Sequence, residues 1–95
     1  MNKINLNFNL GEIIKLFKRG NIVKTYEKMY LLAEQLAKTE TQEYQTELLS
    51  RINVKSTKNE IFSSLDKIWN FKMERIHHHM KEMKDLLIMH FKINK

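Results

Sequence analysis

The chain has no cysteine and no proline, and its only glycines are Gly11 and Gly20. Without cysteine there is no disulfide and no thiolate metal site. A chain this poor in turn residues is predicted to be all-α. No apolar run approaches the roughly 18 residues of a membrane span. The first residues lack an apolar core followed by a small-residue cleavage site. These two absences predict a cytoplasmic protein. Also missing are a glycine-rich phosphate loop, a Gly-x-Ser-x-Gly elbow and a His-Glu-x-x-His helix. No acidic pair lies on an apolar face, where burial would tune its pKa. The expectation is therefore a non-enzyme with no catalytic residues, no cofactor and no metal.

What is present suffices for a folded core. Of 95 residues, 42% are hydrophobic and 29% charged, which predicts a single domain over residues 1–95 rather than a disordered chain. The net charge is +6. That balance permits nucleic acid, acidic protein or anionic lipid as a partner without choosing among them. The excess is spread thinly except at a basic patch of Lys15, Lys18 and Arg19, extended by Lys24 and Lys28. Glu12, Glu27 and Glu34 interrupt that side. No helix shows the Arg, Asn and Gln face of a recognition helix.

Residues 3–10 alternate Ile4, Leu6, Phe8 and Leu10 with Asn5, Asn7 and Asn9. This is the period of a half-buried strand. No second strand is legible, so residues 1–9 are expected to form an extended arm across the helices, or to pair with a partner's edge. Asn9 is the expected cap of a short helix over 10–19, with Glu12 at its third position and Phe8 packing on Ile13. Leu10, Ile13, Ile14 and Phe17 make its inner face, and Gly20 is the expected left-handed stop. A second helix follows over 22–38, facing inward with Ile22, Tyr26, Met29, Tyr30, Ala33, Leu36 and Ala37. A break at 39–41 and a third helix over 42–53 come next, with Tyr44, Leu48, Leu49 and Ile52 inward.

The dominant element is a long helix over 58–93. Thr57 and Glu60 have capping-box spacing. Ile61, Phe62, Leu65, Ile68, Trp69, Met73, Met80, Met83, Leu86, Leu87 and Phe91 all fall within about 80° of Ile76 at helical pitch. Lys72, His79 and His90 interrupt that face. At about 1.5 Å per residue the helix is on the order of 50 Å long, against roughly 15, 25 and 20 Å for the others. Those three are expected to leave its far half open. Met80, Met83, Leu86, Leu87, His90 and Phe91 are accordingly the expected interface with a protein partner, a second copy first of all. His79 and His90 would lie along the edge of that seam, and acid would loosen it.

The run His77-His78-His79 does not read as a metal site, because neighbouring residues on a helix point about 100° apart. Glu74 and His77 have Glu-x-x-His spacing, but carboxylate-bridged metal sites draw ligands from several helices. Glu74, His78 and Glu82 share a polar stripe, which reads as solvated surface.

Residues 18–29 resemble the turn of a tetratricopeptide-type helix pair. No 34-residue repeat follows, so the resemblance implies a helix hairpin and nothing further. The run from Phe71 through Glu74 and Arg75 resembles the closing helix of sorting-nexin BAR domains, which have much longer helices. In size, charge and helicity the chain is similar to small bacteriocin immunity proteins and phage-encoded inhibitors. The sequence thus predicts a helical bundle of three short helices and one long one. Its expected role is a protein-binding adaptor, inhibitor or immunity-type factor, active as a homodimer. A nucleic-acid-binding accessory protein is the alternative, and a membrane-surface binder the weakest reading.

Overall fold

A computed structural model describes residues 6–93, with the side chains of residues 6–8 outside that description. Three helices account for nearly all of it: α1 Leu6–Lys18, α2 Ile22–Ser50 and α3 Lys58–Phe91. Among the described residues there is no strand. The protein is all-α, with three helices where the sequence predicts four.

The first difference lies at the start. Residues 6–9 are the opening of α1, not an extended arm, and Asn9 sits inside the helix rather than capping it. Residues 1–5, with Ile4 and Asn5, lie outside the described residues. Alternating Asn and apolar residues suit a strand only when a second strand is there to complete the ladder.

The second difference lies at 39–41, where α2 runs straight through as part of a 29-residue helix. Threonine is a weak helix former but not a breaker. Here its hydroxyls stay inside the helix. Thr39 Oγ1 donates to the Gln35 carbonyl at 3.2 Å, and Thr41 Oγ1 to the Lys38 carbonyl at 3.4 Å. Thr41 is also buried.

The turns follow local chemistry closely. Gly20 has φ +76°, and its N–H and that of Asn21 return to the carbonyls of Phe17 and Leu16, which closes α1 in the left-handed manner. Asn21 caps α2 by accepting from the Lys24 N–H at 3.4 Å, and Thr25 Oγ1 donates to the Asn21 carbonyl at 2.7 Å. Between α2 and α3, Asn53 Oδ1 accepts from the Lys55 N–H at 2.8 Å, and Ser56 Oγ from the Asn53 N–H at 2.9 Å. Thr57 Oγ1 then accepts from the Glu60 N–H at 3.1 Å and donates to the Glu60 carboxylate at 3.2 Å. The capping pair expected from the sequence is in place. Here the carboxylate takes the hydroxyl.

α2 and α3 form a long antiparallel hairpin. Its register is fixed by Glu40 against Arg75 and Tyr44 against Phe71, whose rings lie 4.8 Å apart. α1 docks on one half only. Its fully buried Ile13 joins Met29, Leu32, Ala33 and Ala37 of α2 with Ile76, Met83 and Leu87 of α3 in one core. Phe17 meets Phe91 at 5.0 Å, and Lys28 pairs with Glu12 at 2.9 Å. The molecule measures 55 × 32 × 19 Å. The short dimension is about two helix diameters, so no third layer covers the whole hairpin.

Candidate protein-binding surface

The hairpin has a covered half and an open half. The buried residues of α3 are Ile76, Met83 and Leu87, so no side chain in the stretch of α3 before Ile76 is fully buried. That stretch nonetheless keeps the apolar stripe. Phe62 is 65% exposed, Trp69 63%, Leu65 47% and Met73 36%. The four recur at helical spacing on one face, and with Tyr30, Glu34 and Gln45 of α2 they line an open cleft of about 530 Å³. No part of α1 lines this cleft. The cause is topological. α1 has 13 residues, about 20 Å at helical rise, and it docks on the end of the hairpin away from the 51–57 connection.

The far half of α3 is differently placed from what its sequence predicts. Met83 and Leu87 are buried in the chain's own core, while Met80 and Phe91 pack against it half-buried. They have little surface left to offer a second chain. From the sequence alone the partner helices are expected to be too short to cover this half. Instead α1 and the first part of α2 both dock on it, where Ile13, Met29, Leu32, Ala33 and Ala37 close over Met83 and Leu87. Leu86 and His90 remain exposed at the rim of a smaller apolar cleft of about 330 Å³, together with Leu10, Ile14 and Met89. Lys15, Lys18 and Arg19 are all exposed where α1 ends.

Charge is segregated along the same division. Residues 34–75, which hold most of the open half, carry seven acids and seven bases. The remaining residues carry ten bases against four acids, so the entire +6 belongs to the covered half and its termini. The apolar cleft is therefore set in a neutral surface.

One polar constellation joins α2 to α3. Glu40 accepts two hydrogen bonds from Arg75, at 2.7 and 3.4 Å, and is also paired with His79 Nε2. His79 has Glu82 at 3.8 Å on its other ring nitrogen. Partial burial pushes the Glu40 carboxyl up, but the hydrogen bonds and charges of Arg75 and His79 outweigh it and hold the carboxyl below its ordinary value of 4.5. The same hydrogen bond to Glu40 raises Arg75 further above its ordinary value. His79 therefore faces a carboxylate of its own chain. Sequence spacing could not reveal the constellation, because its members lie 35 and 39 residues apart.

The three adjacent histidines diverge. His77 lines a shallow cleft with Tyr26, Met80, Lys81 and Lys84, His78 pairs with Glu82, and His79 pairs with Glu40. Among the described residues no three His, Asp or Glu side chains converge on a point where an ion could sit. No described helix is long and apolar enough to cross a membrane.

No protein-family model matches the chain, and no curated protein or solved structure is significantly similar to it.

Proposed function

We propose that the chain is a non-enzymatic protein-binding factor that presents the apolar face of α3, on the open half of the hairpin, to another protein. The observation that carries this reading is the exposure of Phe62, Leu65, Trp69 and Met73 along a cleft that α1 leaves uncovered. Two magnitudes support it. The chain exposes 7811 Å², against about 5800 Å² expected for a compact monomer of its mass. Its radius of gyration is 17.2 Å, against about 12 Å for a compact chain of this length. A contiguous apolar face on a neutral surround marks an interaction site in soluble proteins. It is a suitable surface for an adaptor, an inhibitor or an immunity-type factor.

The test is site-specific photo-cross-linking in the native host, with the cross-linking residue at position 69 or at position 54. Val54 is fully exposed in the connection and off the cleft. Protein adducts at 69 and none at 54 are the expected result. Absence of protein adducts at 69 overturns the reading.

The charge segregation favours a second reading for the other half: attraction of a polyanion by Lys15, Lys18 and Arg19. Three phosphate contacts would make binding fall roughly fortyfold between 50 and 200 mM salt. The triple change to Glu should abolish it with little effect on thermal stability. A salt-independent association would exclude nucleic acid.

A further inference from the structure

We infer that the occupant of the α3 cleft is a second copy of this chain, packed antiparallel about a two-fold axis that passes through Trp69. This rests on the protein-binding reading above and names the partner.

The spacing of the apolar stripe is the first ground. About Trp69, Leu65 and Met73 stand four residues away on either side, and Phe62 and Ile76 stand seven away. A two-fold axis perpendicular to an antiparallel helix pair sets residue 69 − n of one copy opposite residue 69 + n of the other. Leu65 then faces the Met73 position of the second copy, and Phe62 lies over the half-covered end where Ile76 is already buried in its own core. Trp69 meets itself, so the three most central exposed apolar residues of the stripe find apolar neighbours. Read parallel, the same stripe would also align, but it would set the two basic halves side by side.

Charge is the second ground, and it selects the antiparallel arrangement. Residues 34–75 sum to zero, so the contacting halves do not repel. The first base of α3 within the basic half is Lys81, twelve residues beyond Trp69, or about 18 Å along the axis. In the two-fold pair the Lys81 side chains stand about 35 Å apart, several times the screening length of about 8 Å at physiological salt. A chain of net charge +6 can meet its copy at this place with little electrostatic cost.

Area is the third. With the exposures given above, Phe62, Leu65, Trp69 and Met73 offer on the order of 400 Å² per copy. Two copies together bury about 800 Å² through these side chains, which places the pair among weak, transient interfaces.

The experiment uses three measurements on the intact chain. Sedimentation of the wild type at tens of micromolar should show a dimer. Trp69→Glu, which sets a carboxylate against its own copy on the axis, should weaken association on the order of a hundredfold or more with helical circular dichroism unchanged. If that variant loses helicity, Phe62→Glu makes the same measurement at a residue equally outside the core. The direction is read by cross-linking, which the absence of native cysteine makes clean. In a mixture of Leu65→Cys and Met73→Cys chains, a short bis-maleimide should join 65 to 73. It should not join 65 to 65, which stand about 12 Å apart along the axis. A monomeric wild type, a dimer indifferent to both Glu variants, or preferential 65–65 linkage overturns the inference. A monomeric wild type whose position-69 photo-adducts contain a different protein overturns it while the protein-binding reading stands. A monomer with no protein adduct at 69 removes both.

Discussion

Replacing Ile13 with alanine tests how α1 is held. Ile13 is fully buried and is the one described side chain of α1 buried in the core. Its truncation removes three carbons, about 2.4 kcal/mol of transfer free energy at about 0.8 kcal/mol each. The cavity left between Met29, Met83 and Leu87 adds to that, because helices joined by short turns collapse only partly. Alanine's better helix propensity returns a few tenths of a kcal/mol. The expected loss is about 3 kcal/mol, which for a domain of this size lowers Tm by about 12–24 °C. Thermal unfolding followed by circular dichroism measures it, with Val54→Ala as the exposed control expected within about 0.5 kcal/mol. Hydrogen exchange adds a local readout. A 13-residue helix is marginal in isolation, so α1 amides should lose protection well before those of α2 and α3. A loss under about 1 kcal/mol, or α1 protection that outlasts the hairpin's, would refute the account of α1 as an element held by Ile13.

Three further predictions follow from the same contacts. Met83→Asp places a carboxylate in the core and should cost several kcal/mol by denaturant titration; a variant of unchanged stability and altered assembly would mean that Met83 faces a partner. Glu40 is held below its ordinary pKa, so the stability it contributes is complete above about pH 4.5 and is lost as pH falls through the lowered value; Glu40→Gln should be less stable at pH 7 and show a flatter stability profile below pH 4.5, and an unchanged acid slope would show that other carboxylates carry the dependence. Gly20→Ala should cost about 1 kcal/mol through its left-handed backbone alone, since nothing lies near enough to meet the added methyl group; a neutral effect would show that the turn relaxes.

The features legible in the sequence are those encoded within a few residues. Thr57 and Glu60 mark the start of α3, Gly20 and Asn21 mark the turn from α1 to α2, and the stripe from Ile61 to Phe91 marks the long helix. The inner faces of α1 and of early α2 also read correctly at Ile13, Met29, Ala33 and Ala37. Ile22 and Tyr26, assigned to that same face, stand exposed instead. The misread stretches are those where a local tendency yields to its surroundings. Thr39 and Thr41 weaken a helix in isolation, yet burial of Thr41 against the hairpin and hydroxyl bonds to the preceding turn carry α2 through. The alternation at Asn5, Asn7 and Asn9 has strand period without a strand to pair with. Which half of α3 is covered was not readable from the stripe, because its apolar pattern is equally strong at Phe62 and at Met83. That distinction depends on where α1 docks, a contact between residues 70 apart in the chain.

The same separation has a consequence during synthesis. A ribosome adding about 5–20 residues per second takes roughly 4–14 s to pass from Ile13 to Met83. Throughout that interval Leu10, Ile13, Ile14 and Phe17 have been made, but the α3 surface that receives them has not. Of the three described helices, the one made first can meet α2 early but completes its packing last. The part of its apolar face that α3 covers, at Phe17 above all, stays open to nascent-chain chaperones until the far end of the hairpin has been translated.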